Sequence, residues 1–141
     1  MHYQTITVAV DVADEANGRA ALARAATIAG TAGRIRLLYV RHYLPTRYGA
    51  LLGRDFDLEE QEEAMAIMTQ WMKDAGLTED RAVCLTRRGR IRDEVIKDAE
   101  QSGADLIVIG SHQPSLSSRL LGSNASAIVH QSPVSVLVSR M

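Results

Sequence analysis

A chain of 141 residues, 46% apolar and 23% charged, is long enough for one α/β domain with a sizeable core. A net charge of −1 excludes the basic footprint of a nucleic-acid-binding protein, and no apolar run approaches the roughly 20 residues that a bilayer requires. The start, Met1-His2-Tyr3-Gln4, has neither the basic nor the apolar region of a signal peptide, and the single cysteine, Cys84, cannot close an internal disulfide, so no membrane anchoring and a cytoplasmic location are expected.

Thr5-Ile6-Thr7-Val8-Ala9-Val10 alternates, then turns apolar and ends at Asp11, which predicts a first strand. Residues 17–32 are alanine-rich, with Leu22, Ala25, Ala29 and Ala32 at helical spacing, and Gly33 supplies a stop. Ile35 to Val40 reads as strand two. Residues 41–57 hold Pro45, Gly49 and Gly53 and predict a long connection, either a lid or an ordinary crossover. Helix two is expected from about Leu58 to Ala75. Met65, Met68, Met72 and Ala75 form its stripe, widened by Ile67 and Trp71, a pattern of core packing. Glu59, Glu60, Glu62 and Glu63 then fall in its first turns, where carboxylates favour the dipole.

Arg81 to Thr86 is a third strand at or near an edge, since its charged flanks tolerate water, and Cys84 within it reads as strand packing. Ile91 to Ser102 is helix three, with Ile91, Val95, Ile96 and Ala99 inward and Gly103 closing it. Leu106-Ile107-Val108-Ile109, four apolar residues stopped by Gly110, look like a central parallel strand. Asn124 to Gln131 is a short helix ended by Pro133, with His130 as a dipole partner at its C-terminus, and Val134 to Ser139 is strand five. This alternation predicts one domain over residues 1–141, a doubly wound open parallel five-stranded sheet, Rossmann-like, in the order 3-2-1-4-5.

In such a sheet the strand order reverses between strands one and four, and ligands bind outside the carboxyl ends there. Asp11 and Gly110 would flank that crevice. Gly110-Ser111-His112-Gln113-Pro114 and Leu121-Gly122-Ser123-Asn124 place one glycine at a strand end and another at a helix mouth. Gly122 is expected to bring backbone close to a ligand at positive φ, and Ser123 or Asn124 to cap the helix. A helix start suits a phosphate. Turn and cap chemistry competes with ligand contact at these residues, as loop capping does at Asp11 and core packing at Val40. His112 reaches a phosphate or faces solvent, and Ser117, Ser118 and Arg119 touch phosphates or lie in a solvated loop. No Ser-His-Asp order with supporting context, no Cys/His metal spacing and no Gly-Lys-Ser/Thr loop is present, so neither a catalytic nor a protein-only metal site is predicted. Asp11 could help hold Mg²⁺ if phosphates supplied the other oxygens.

Over essentially its whole length the chain resembles the universal stress protein family. The resemblance rests on Val8-Ala9-Val10-Asp11, Leu37-Leu38-Tyr39-Val40, Gly89 with Asp93-Glu94, Ala104-Asp105 running through Ile109-Gly110-Ser111, Leu120-Leu121-Gly122-Ser123-Asn124-Ala125 and Pro133 to Val138. It implies an adenine nucleotide alpha hydrolase-like fold. Nucleotide-binding members carry Gly-x-x-Gly, nine residues, then Gly-Ser or Gly-Thr. Here Gly110 and Gly122-Ser123 match, Gln113 replaces the second glycine, and eight residues separate it from Gly122, as in the F- and G-type bacterial branch. The resemblance implies ATP or another adenine nucleotide, with or without Mg²⁺. Val10 and Asp11 would contact adenine or ribose, beside Ala9, and backbone at Val40 would bond adenine. Ile109, Gly110, Ser111, His112, Gly122, Ser123 and Asn124 would surround ribose and phosphates. It also implies a stress-response regulatory role with an unidentified protein partner, and a homodimer formed through the last strand, Val134 to Ser139. The alternatives are a slow ATPase or self-phosphorylating enzyme, or an interaction protein whose phosphate path is filled by Gln113 and Pro114.

Overall fold

Each apolar run of the sequence becomes a strand, and every strand lies parallel to its neighbours. The computed structural model describes residues 3–42, 46–111 and 121–140, and for residues 42 and 46–55 the backbone alone. The elements are β1 (Thr5–Val10), α1 (Glu15–Ala29), β2 (Arg34–His42), α2 (Thr46–Asp74), β3 (Ala82–Gly89), α3 (Ile91–Ser102), β4 (Leu106–Gly110), α4 (Ser123–Gln131) and β5 (Ser135–Ser139). They form a five-stranded sheet in the order β3-β2-β1-β4-β5. Both β3 and β5 are edges. The register pairs Val8 of β1 with Leu37 of β2 and with Val108 of β4, so the three central apolar runs lie side by side.

Side chains alternate across the pleat and feed two cores. Ile6, Val8, Ile35, Leu37, Leu106 and Val108 pack under α1 and α2, against Leu22, Ala25, Met68 and Trp71. Leu38, Val40, Ile107 and Ile109 pack under α3 and α4, against Val95, Ala99, Ala125 and Ile128. Burying each large aliphatic side chain contributes about 1.5–3 kcal/mol, so a strand buried on both faces is held firmly at the centre. The small stripe of α1 lets α2 approach closely. A Cβ at Gly18 would come within 2.5 Å of the Trp71 ring, and Arg19 lies over that ring at 5.9 Å.

Several boundaries differ from expectation. Asp14 caps α1, its side chain accepting from the Asn17 backbone N–H at 3.4 Å, so the helix begins at Glu15. It ends at Gly30, φ 62°, rather than at Gly33. The predicted long connection over residues 41–57 is largely helix, because α2 starts at Thr46. No acidic residue therefore lies in its first turn, and Glu59 to Glu63 sit mid-helix, out of reach of the dipole. Ala64, Met68, Trp71 and Met72 form its buried stripe, while Ile67 and Ala75 are exposed. β3 runs on to Gly89 because Thr86 to Gly89 continue the ladder beside Tyr39 to His42.

One polar cluster lies beneath α3. Asp98, fully buried, accepts from Thr7 Oγ1 at 3.0 Å, from Arg36 Nε and Nη2 at 3.1 and 2.9 Å, and from Arg87 Nη2 at 3.3 Å. Those partners come from β1, β2 and β3. Burial alone would push the Asp98 carboxyl up, but the Arg36 hydrogen bonds and charge, with Thr7 and Arg87, outweigh it and hold the carboxyl below its ordinary value.

Candidate functional site

The chain leaves β1 toward β2 and leaves β4 toward β5, on opposite sides, so a crevice opens between their carboxyl ends. A cavity of about 170 Å³ lies there. Ala9, Val10 and Asp11 line it from β1 and its end, Ile109 and Gly110 from β4, Asn17 from α1, Ile91 from the start of α3, and Gly122, Asn124, Ala125 and Ile128 from the mouth and body of α4. The lining therefore combines aliphatic side chains with one carboxylate and two amides. Residues at the starts of α1, α3 and α4 all border this cavity. Arg90 and Gly122, the N-caps of α3 and α4, make no side-chain cap bond. Among the described residues the first N–H groups of those helices thus receive no bond from their cap side chain, and the dipoles bring positive potential to the crevice.

Of the residues singled out from the sequence, Ala9, Val10, Asp11, Ile109, Gly110, Gly122 and Asn124 converge on the cavity. Val40, Ser111 and Ser123 do not line it. Val40 is buried in the core beneath α3 and α4, and Ser111 donates its backbone N–H to the Ser139 carbonyl at 3.1 Å. Ser123 is the first residue of α4; the cap is Gly122, so neither Ser123 nor Asn124 caps the helix as expected. His112, together with Gln113, Pro114 and Ser117 to Arg119, lies outside the described residues.

Two local expectations change. Gly122 has φ −62° and ψ 159°, an extended conformation open to any residue, and Gly110 is not at positive φ either. What Gly110 requires is space, since a Cβ there would fall on the Asn17 amide, 2.7 Å from its Cγ. Asp11 does cap the loop, with Oδ1 accepting from the Ala13 N–H at 2.9 Å and its carbonyl accepting from Asp14 N–H at 3.0 Å. It nevertheless stays exposed and on the cavity wall. Tyr39 pairs with Val10 across the ladder; burial first and then the charges of Asp11 and Glu60 push its phenol up, against Arg41.

Sequence reading missed Asn17, Ile91 as a wall residue, Ala125 and Ile128. Asn17 carried a signal, because it stands one turn before Ala21 on the stripe that α1 otherwise fills with small apolar residues. Its Oδ1 is buried and has no hydrogen-bond partner among the described residues.

Two larger cavities, about 260 and 520 Å³, open at the other end of the sheet around Thr5 and Arg34. Size favours them, but none of the buried unpaired polar atoms lines either one, and the switch point lies at the opposite end. Among the described residues no group of three His, Cys, Asp or Glu could hold a metal, and no helix is long and apolar enough to cross a membrane. Burial pushes the Cys84 thiol up, consistent with packing rather than reactivity.

A family model described as the universal stress protein family matches residues 2–140. Universal stress protein G of Escherichia coli O157:H7 is 37% identical over 145 residues, spanning 98% of this chain and 99% of that protein. Among solved structures, universal stress protein UspA from Lactobacillus plantarum has a TM-score of 0.78 at 26% identity, covering 99% of each chain. A universal stress protein in complex with cAMP has a TM-score of 0.70 at 25% identity, covering 99% of this chain and 98% of that one.

Proposed function

The chain belongs to the universal stress protein family, and from that premise we propose that it is a cytoplasmic module that binds an adenine nucleotide, ATP first, in the crevice between β1 and β4 and acts as a nucleotide-dependent regulator in a stress response. The observation that carries the reading is the cavity itself, lined by aliphatic side chains together with a carboxylate and two amides and bordered by three helix starts. A relative of the same fold was solved with cAMP, an adenine nucleotide. Ile91, Ile109 and Ile128 suit a flat apolar base. Asp11 suits a sugar hydroxyl. The uncapped N–H groups of α4 behind Gly122, with Ser123 and Asn124, suit phosphate. At about 170 Å³ the cavity is smaller than the roughly 300–1,000 Å³ of pockets that enclose whole ligands, so the phosphates of ATP would extend past the mouth of α4. Mg²⁺, if carried, would be held mainly by those phosphates, with Asp11 as the one carboxylate at hand.

Hydrolysis needs an oriented water, a base and charge stabilisation on the transferred group. Among the described residues the lining supplies one carboxylate and no lysine, which favours binding over turnover. The last strand is an edge with Val136 and Val138 half-buried, and we place the homodimer contact there.

The direct test is mass analysis of small molecules released when the purified protein is denatured, followed by calorimetric titration with ATP and cAMP. An adenine nucleotide released or bound, and lost in Gly122→Val through crowding at the mouth of α4, is the expected result. No binding of any adenine nucleotide at millimolar concentration to folded protein would overturn the reading. For the dimer, light scattering at micromolar concentration should give twice the chain mass, and Val136→Pro should halve it.

A further inference from the structure

We propose that Asn17 is a specificity-determining residue of this pocket, its side-chain amide seated over Gly110 and its Oδ1 accepting a hydrogen bond from a ribose hydroxyl. The inference rests on the nucleotide reading above. Asn17 lines the cavity, and its Oδ1 is buried without a partner among the described residues. A buried amide oxygen left unpaired costs roughly 1–3 kcal/mol, so a position that keeps one needs a reason. The helix does not supply it. The capping bond to Asp14 uses the backbone N–H of Asn17 and leaves the side chain uncommitted. Nor does the core, since the neighbouring inward positions of α1 are Gly18, Ala21 and Leu22.

Gly110 gives the complementary half of the argument. Its backbone does not need glycine for conformation, yet a Cβ at that position would collide with the Asn17 amide. Absence of a side chain at the end of β4 therefore seats an amide from α1. The two residues form one device, a carbonyl oxygen held at the polar side of the cavity.

The chemistry selects what it meets. Oδ1 accepts and does not donate, and the carboxylate of Asp11 on the same wall also accepts. These two acceptors call for donors, while Nδ2 of the Asn17 amide is itself a donor and completes a match for a hydroxyl, which both donates and accepts. The base amino group is one donor, but the aliphatic wall that suits a base is formed by Ile91, Ile109 and Ile128, across from Asn17. The sugar hydroxyls are the donors left for this side.

The test uses the full chain and calorimetric titration with ATP, 2′-deoxy-ATP and 3′-deoxy-ATP. The native protein should bind ATP roughly tenfold more tightly than one of the two deoxy analogues. Asn17→Ala should lose about tenfold for ATP and bind that analogue within twofold of native, so that the preference vanishes. Gly110→Ala should displace the amide, lower the melting temperature and give the same loss. Combined with Asn17→Ala it should add little to either, because the methyl then has room. Full preference retained in Asn17→Ala, or additive losses in the double variant, would overturn the role of Asn17 while leaving nucleotide binding intact. Native protein that binds neither ATP nor the analogues would overturn the nucleotide reading and this inference together.

Discussion

Strand β1 carries two groups of polar side chains, one under α3 and one at its carboxyl end, and the two are resolved in opposite ways. Thr7 faces Asp98, whose oxygens are met by Arg36 and Arg87 as well. At the far end of the same strand, Asp11 is exposed on a cavity wall and the adjacent Asn17 Oδ1 has no partner among the described residues. Where the protein completes its own hydrogen bonds, the polar group ties strands and helix together. At the cavity an acceptor stays buried and unmatched among the described residues, open to a donor that they do not supply. Burial of a polar atom thus does not by itself separate structure from site; its partner list does.

The largest effect should come from cutting the completed cluster. Asp98→Ala takes the carboxylate from Arg36 and leaves Arg87 with Glu94 at 3.7 Å and Gln101 at 2.8 Å. Their side chains are about a quarter exposed, 25% for Arg36 and 23% for Arg87, so water relieves part of the penalty. The expected loss is about 2–3 kcal/mol by urea unfolding, somewhat below that for breaking a fully buried pair. ATP affinity, measured well below the melting temperature, should stay within twofold. A large fall in affinity with little loss of stability would erase the distinction between the two regions.

Acid should act on the same region. Asp98 is held below its ordinary value in the fold, while in the unfolded chain it titrates near 3.9, roughly. A carboxyl depressed by folding contributes its stability above the unfolded value and loses it as pH falls through the folded one. Stability should therefore drop as pH is lowered from about 5 toward 2, and Asp98→Asn should flatten that slope, leaving the part due to other depressed carboxyls such as Asp57 and Asp74. An unchanged acid slope in Asp98→Asn would show that the cluster is not what acid attacks.

In the open region the balance reverses. Asp11→Ala removes one loop bond, to the Ala13 N–H, and should cost no more than about 1 kcal/mol of stability. It should weaken ATP by roughly tenfold, since the lost acceptor belongs to the polar wall. Equal ATP binding by native protein and Asp11→Ala would leave loop capping as its whole role.

The fold was legible because its strands are short apolar runs bounded by punctuation: Asp11 after β1, Gly110 at the end of β4, Pro133 before β5. Runs that clear, separated by helical spacing, leave few topologies open. The start of α2 was not legible. Gly49 and Gly53 read as loop, yet each glycine costs a helix only about 1 kcal/mol, too little to stop one that Ala64, Met68 and Trp71 anchor farther on. At the site, the strand-end residues could be found because the switch-point rule names their location. Asn17 interrupts the small apolar stripe of α1, which marks the position, but what its side chain meets depends on what stands across from it. Only the placement of α1 over β4 shows that a side chain at Gly110 would collide with the Asn17 amide. Gly122 was expected to bring backbone close to a ligand at positive φ; neither it nor Gly110 has a positive φ, and at Gly110 the absent side chain leaves space for the Asn17 amide.

The smallest effect tests the same contrast at the mouth of α4. Gly122 caps that helix without a side-chain bond, so one of the cheapest stabilising devices a helix has is not used here. Serine fits the backbone, since φ −62° and ψ 159° are ordinary for any residue. Its hydroxyl would accept from an N–H of the first turn, as a capping serine does, and Gly122→Ser should raise stability by a few tenths of a kcal/mol. The same bond would occupy an N–H that the nucleotide reading assigns to phosphate, and the side chain would enter the cavity wall. ATP affinity should therefore fall as stability rises, a trade expected where a site keeps donors uncommitted. Calorimetric titration and urea unfolding of one preparation read both quantities. A variant that gains stability and keeps its affinity would show that the open N–H groups of α4 take no part in binding, and would move the phosphates elsewhere along the crevice.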